Sequence, residues 1–175
     1  MGDPESCYYF AYGSNLLQKR MHVNVPSATR SAIGKINNYR LDFARYSKRW
    51  HGCSATIVPH NGYEVWGAIW EISAEDLPSL DLQEGVHQNI YFRFNTNVKL
   101  PDGTTKECYV YEQVNKPTTH FKLCEFPADR QPSHVYKDVI VKGAEESKLP
   151  DFYQKLLQSV LCNGYKGDVD LKLVE

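Results

Sequence analysis

The chain contains no C-x-x-C pair, no N-x-[ST] sequon and no glycine-rich phosphate loop. Its five cysteines stand at 7, 53, 108, 124 and 162, an odd and widely spaced set. That argues against a disulfide framework or a structural zinc site and suits free thiols in a reducing compartment. Long apolar runs are also missing. Charge-free stretches such as Ser6 to Gln18 are too short and too polar to span a bilayer. A basic field is lacking too: 20 Lys and Arg against 21 Asp and Glu leave a net charge of -1, which argues against nucleic acid as a partner. The histidines are scattered without metal-ligand spacing, and there is no internal repeat, low-complexity tract or signal peptide. One targeting pattern is matched, since Met1-Gly2-Asp3-Pro4-Glu5-Ser6 fits the myristoylation template M-G-x-x-x-[ST]. Its acidic, proline-kinked start has no basic cluster nearby to add a second anchoring signal. The expectation is a cytoplasmic protein with no membrane and no nucleic-acid partner.

What is present is enough apolar material for a core. Of 175 residues, 42% are apolar and 13% aromatic, with 12 tyrosines. A chain of this length buries roughly 70% of its unfolded surface. It reads as one domain over residues 1–175, with residues 1–6 expected to be a flexible lead.

Along the chain, Cys7 to Tyr12 reads as a buried strand and Leu16 to His22 as a short helix with Leu17 and Met21 on one face. Arg40 to Arg45 reads as another strand. Ser54 to Val58 and Tyr63 to Ile72 read as a hairpin joined by Pro59-His60-Asn61-Gly62, where Asn-Gly is the turn signal. Ser73 and Asp76 form a capping-box pattern for a helix with Leu77 and Leu80 inward. Ile90 to Lys99 and Thr104 to Gln113 form a second hairpin about Pro101-Asp102-Gly103. Asn115 to Pro132, with three prolines, is a long loop. Two helices close the chain, one after Ser133 with Val135 and Val139 aligned. The other starts at Pro150, with Phe152, Leu156 and Val160 as its stripe. Long strands with tight turns and no β-α-β rhythm predict an α+β fold: a mixed, mainly antiparallel sheet curled into a barrel, with helices packed outside.

In Tyr8-Tyr9-Phe10-Ala11-Tyr12-Gly13-Ser14-Asn15-Leu16-Leu17 a strand meets a helix across three small residues. Backbone N–H groups left unpaired there form a ready anion or oxyanion site. The simpler reading has Ser14 or Asn15 capping the helix, with Gly13 allowing the turn. Downstream, Glu84 sits between Leu82 and Val86, against Gly85. A carboxyl group among apolar residues is desolvated, its pKa rises, and it suits proton transfer near neutral pH. The competing reading is a solvated glutamate in a helix-terminal turn. Tyr136 reads on its own as a packed helix aromatic, and Trp50-His51-Gly52-Cys53 as a loop or strand entry.

Taken together, Tyr9-Phe10-Ala11-Tyr12-Gly13-Ser14-Asn15-Leu16 and Gln83-Glu84-Gly85 resemble the gamma-glutamylcyclotransferases. The likeness extends through Leu41-Asp42-Phe43, Trp50-His51-Gly52, Ala55-Thr56-Ile57, Glu64-Val65-Trp66-Gly67, Ser79-Leu80-Asp81, Gly143-Ala144-Glu145 and Leu149-Pro150. It implies a small β-barrel with surrounding helices. It also implies conversion of a small-molecule γ-glutamyl dipeptide to 5-oxoproline and a free amino acid, with no cofactor and no metal. Glu84 matches the family's catalytic glutamate. Tyr9, Phe10, Ala11, Tyr12, Gly13 and Ser14 match its substrate-binding stretch, and Tyr136 a tyrosine that contacts substrate. The resemblance leaves room for a homodimer. The chain departs from the family pattern at Leu82, where related sequences often carry an acid.

Overall fold

The structure, a computed structural model, describes residues 5–171. The start of the Met1-to-Ser6 pattern and of the expected flexible lead lies outside those residues. Five strands close into a barrel in the order β1-β3-β2-β4-β5, where β1 is Ser6–Ala11, β2 Thr29–Ser47, β3 Gly52–Ser73, β4 Tyr91–Lys99 and β5 Thr105–Gln113. The neighbours pair antiparallel except β1 and β5, which meet in parallel at Tyr9 and Tyr109. The expected mixed, mainly antiparallel barrel is therefore found. Around it lie the helices α1 (Gln18–Met21), α2 (Leu77–Gln83), α3 (His134–Glu146) and α4 (Asp151–Gln158).

Several local expectations are corrected. Asn61-Gly62 does not turn a hairpin, because β3 runs unbroken through it. The residues on both flanks pair with the same neighbour, Pro59 with Tyr39 and Glu64 with Asn37. The extra residues bulge outward opposite Asn38, whose Oδ1 accepts from the Gly62 N–H at 3.2 Å. The hairpin is instead β2–β3, turned by residues 48–51, with His51 in the left-handed region at φ 57°. The first helix is broken. A single 3₁₀ turn, Ser14–Leu16, is followed by an extended Leu17 before α1 begins. On α4 the inward stripe is Tyr153 and Leu157, both buried, while Phe152 and Leu156 are exposed. The helix starts at Asp151, one residue later than expected, with Pro150 as its cap. The expected caps at Ser73 and Ser133 both form, on the N–H groups of Glu75 and Tyr136. Asp76, however, accepts from the Ser27 hydroxyl rather than returning to Ser73.

The Gly13–Leu16 turn is held from three sides. The Trp70 indole of β3 donates to the Asn15 carbonyl at 2.9 Å. The Leu16 carbonyl accepts from Arg30 at 2.8 Å and from the Ser147 hydroxyl at 3.2 Å. From the third side α3 presses directly on the turn through Gly143, where a Cβ would stand 2.6 Å from both Leu16 Cβ and Leu17 N. Helix propensity alone favours alanine here by about 1 kcal/mol, and overpacking opposes it by about 1–3 kcal/mol. Gly143→Ala is expected to lower the urea midpoint, because the contact is with backbone that is pinned elsewhere. A raised midpoint would show that α3 can move away from the turn freely.

Candidate active site

The end of β1, the turn after it, the β2–β3 turn, the C-terminus of α2 and the first turn of α3 converge on one recess. Tyr9, Tyr12, Gly13, Ser14, Glu84 and Tyr136 all line it. Phe10 and Ala11 belong to the same stretch but do not. Side chains alternate across a strand, so Phe10 points the other way and packs its ring against Gly67, and both residues are wholly buried.

Intrahelical bonding in the turn begins with the Leu16 N–H, which donates to the Gly13 carbonyl at 3.1 Å. The N–H groups before it have no partner within the turn. Neither Ser14 nor Asn15 caps it through a side chain, so the simple capping reading does not hold. Gly13 has φ -116°, outside the left-handed region. Its role is closeness, because a Cβ there would lie 3.4 Å from Tyr136 Oη and 3.5 Å from Ala55 Cβ. Asn15 is turned inward instead. Its amide donates to Tyr9 Oη at 3.1 Å, and its oxygen accepts from Gln83 at 3.4 Å. Gln83 in turn accepts from Asn24 at 2.6 Å.

Glu84 is the C-cap of α2, its N–H bonded to the Leu80 carbonyl at 2.9 Å. Gly85 then reverses the chain at φ 67°, with no room for a Cβ beside Ile90. The residue is half-buried because one side lines the open recess, while the protein around its carboxyl excludes most water. Desolvation raises its pKa to about 6. Arg20, Arg49 and a hydrogen bond from Gln83 oppose the rise, and Asp81 adds slightly to it. The phenols of Tyr9, Tyr12, Tyr91, Tyr111 and Tyr136 line the same space, and burial pushes each of them upward. They are therefore neutral hydrogen-bonding groups at physiological pH. Tyr136 Oη accepts from the Ala55 N–H at 3.0 Å, and its ring lies 4.8 Å from that of Trp50. The result is a single titratable carboxyl facing unpaired backbone donors, which is what proton transfer beside a developing oxyanion requires.

Comparison with known proteins agrees with the resemblance. Residues 64–157 match the AIG2-like family. A gamma-glutamylcyclotransferase of Bos taurus is 40% identical over 95% of this chain and 85% of its own length. The chain belongs to the gamma-glutamylcyclotransferase family. The Homo sapiens gamma-glutamylcyclotransferase is 37% identical over 95% of this chain and 85% of its own. A solved gamma-glutamyl cyclotransferase superposes with a TM-score of 0.84 at 36% identity, covering 95% of this chain and 94% of that one.

In this gamma-glutamylcyclotransferase fold, the sequence reading missed Arg20, Arg45, Arg49, Trp50, Ala55, Gln83, Tyr91 and Tyr111 as pocket walls. Spacing gives no sign of Arg20. It is the one strongly charged residue of α1 that turns inward, beside the apolar Met21 that the periodicity did find. Trp50 and Arg49 arrive on a turn whose position depends on the β2–β3 register.

The raised pKa of Glu84 has a sign for stability. The folded protein holds the proton more tightly than the unfolded chain does. The stabilisation from the neutral carboxyl is therefore full below pH 4.5 and is lost as pH rises through about 6. Glu84→Gln mimics the neutral form, so at pH 7 it is expected to gain up to about 2 kcal/mol of stability. The gain should vanish below pH 4.5, as read by denaturant melts at both pH values. A Gln variant less stable than wild type at pH 7 would show that the carboxylate is structural.

Proposed function

We propose that this chain is a γ-glutamylcyclotransferase acting on γ-glutamyl amino acids, with Glu84 as its acid–base residue. The observation that carries the reading is the Glu84 carboxyl, raised to about 6 in the same recess as the unpaired donors of the Gly13–Ser14 turn.

The chemistry follows from the substrate. Its α-ammonium loses a proton to the Glu84 carboxylate, and the free amine attacks the γ-carbonyl carbon to close a five-membered ring. The carbonyl π electrons move onto oxygen, and in this reading the backbone N–H groups at Gly13 and Ser14 hold the oxyanion. Glu84 passes that first proton to the departing nitrogen and, ionised again, takes the second proton from the attacking nitrogen as the oxyanion collapses and the C–N bond breaks; it then yields the second proton to the freed amine and returns to the carboxylate. The products are 5-oxoproline and an amino acid, and no water is consumed. Because the attack is intramolecular, orientation is the main task, and the tyrosine walls supply it. Tyr136, fixed by the Ala55 N–H and by Trp50, can donate its hydroxyl hydrogen to the glutamyl group. No helix among the described residues is long and apolar enough to cross a membrane. A cytoplasmic setting is part of the proposal and is supported by five free thiols.

Two measurements test the reading. Wild type should release 5-oxoproline from γ-glutamyl-alanine, with little release from glutathione. Its kcat/KM should rise with pH through about 6 as Glu84 ionises. Glu84→Gln should lose roughly 10²–10⁴ in turnover while still binding a γ-glutamyl ligand by calorimetry. Near-full turnover in that variant rejects Glu84 as the acid–base group.

The turn is tested separately. Alanine at Gly13 fits within ordinary contact distance of Tyr136 and Ala55, whereas the methyls of valine would enter the recess. Gly13→Val should therefore lower kcat/KM by at least tenfold, with Gly13→Ala intermediate and both melting close to wild type. Equal kinetics in all three proteins would leave the turn no part in binding.

A further inference from the structure

Arg20 is 2% exposed, and its guanidinium faces the recess. Its Nε and Nη1 atoms have no hydrogen-bond partner. The group lies over the Trp50 ring, 5.7 Å from the centroid, and Arg49 is close enough to repel it. Burial and that repulsion lower its pKa to about 10, while Glu84 pulls the other way. A guanidinium remains charged at neutral pH and presents a planar fork of donors matched to a carboxylate. A buried cation with empty donors is unfavourable by itself. Here it forms part of the wall of a substrate site, where an anion arriving with the substrate can complete it.

Building on the cyclotransferase reading, we propose that Arg20 binds the α-carboxylate of the γ-glutamyl group, which leaves the Gly13–Ser14 donors to the oxyanion. Two carboxylates are available on a γ-glutamyl amino acid, and the recess separates them. The α-carboxylate shares its carbon with the amine that must reach Glu84, and Arg20 and Glu84 are close enough to influence each other's charge. Around Arg20 the wall is closed by the Tyr9–Asn15–Gln83 hydrogen-bond chain. The acceptor's carboxylate lies beyond the scissile nitrogen. On the side of Arg45 and Ile90 the recess adjoins a second hollow, shared with Gln88, Asn89 and Lys116. That side has space for acceptors of different size.

Three substrates separate the outcomes. γ-Glutamyl-alanine carries both carboxylates, γ-glutamyl-methylamide only the α-carboxylate, and 4-aminobutanoyl-alanine only the acceptor's. The last keeps the reacting amine and amide and would cyclise to 2-pyrrolidinone. Arg20→Met should lose roughly 10² in kcat/KM on both γ-glutamyl substrates, the scale of a lost charged hydrogen bond. The preference of wild type for γ-glutamyl-alanine over 4-aminobutanoyl-alanine should collapse towards unity in the variant. Arg20→Lys, which keeps the charge but not the fork, should fall between. Loss on the two alanine substrates with γ-glutamyl-methylamide spared would place Arg20 at the acceptor carboxylate and overturn the proposal, as would equal loss on all three substrates or none at all. Wild type that releases no 5-oxoproline from either γ-glutamyl substrate would remove the cyclotransferase reading itself, a distinct result. Because Met removes an unpaired buried charge, Arg20→Met should melt at or above wild type. Calorimetry on wild type needs no variant: 5-oxoproline should bind at least roughly 10²-fold more tightly than 2-pyrrolidinone, and equal affinity would also overturn the proposal.

Discussion

Desolvation of one carboxyl group is the constraint around which this molecule is arranged. A glutamate in water is fully ionised at neutral pH and is a poor acid. For the acid–base role proposed for Glu84 it must be removed from water, and that is costly. The fold meets the cost with several elements at once. The last turn of α2 fixes the Glu84 backbone, Gly85 turns the chain away immediately, and tyrosines from β1, β4, β5 and α3 exclude solvent without adding charge. Two arginines keep the rise moderate, since they oppose burial without cancelling it. A carboxyl raised much further would be protonated throughout the physiological range and unable to accept a proton.

The same economy of charge extends below the barrel. Asp42 on β2 is buried and takes Arg40 at 3.0 Å, and Arg130 from the long loop on its other oxygen. Arg130 also donates to the Phe43 carbonyl at 2.7 Å and the Thr119 carbonyl at 3.1 Å. This fastens the segment read as an irregular loop to the barrel wall next to the helix that carries Tyr136. Buried ions of this kind are tolerated when every partner is supplied, and here the supply comes from distant parts of the sequence.

Legibility in the sequence followed the range of the interactions. The strand of β1, the β4–β5 hairpin and the caps at Ser73 and Ser133 rest on local chemistry, and residue type and spacing revealed them. Asn61-Gly62 misled for a physical reason. The dipeptide favours left-handed backbone, and Gly62 adopts it at φ 85°, but a bulge uses that conformation as well as a turn does. Only the pairing partner, more than twenty residues away on β2, distinguishes the two. Phe152 and Leu156 misled in a similar way, because a one-residue choice of stripe on an eight-residue helix depends on which side the barrel lies. At the site, the neighbours of Glu84 and of Gly13 left simpler readings open, and the family resemblance singled the two segments out. Arg20, Trp50 and Tyr91 could not be identified, because nothing near them in sequence distinguishes an inward polar side chain from an outward one.

The β2–β3 turn that carries Arg49 and Trp50 into the recess is itself secured by residues far along the chain. Asn163 donates to the His51 carbonyl at 2.9 Å, and the Tyr165 ring stacks on the His51 imidazole with centroids 4.2 Å apart. The Tyr165 carbonyl in turn accepts from Val135, beside Tyr136. During synthesis the barrel strands leave the ribosome by Gln113, and a closed sheet can form soon after. The nascent chain must extend past Tyr165 before the turn is clamped. Barrel closure and the clamping of this pocket wall are thus separate events in the life of the chain.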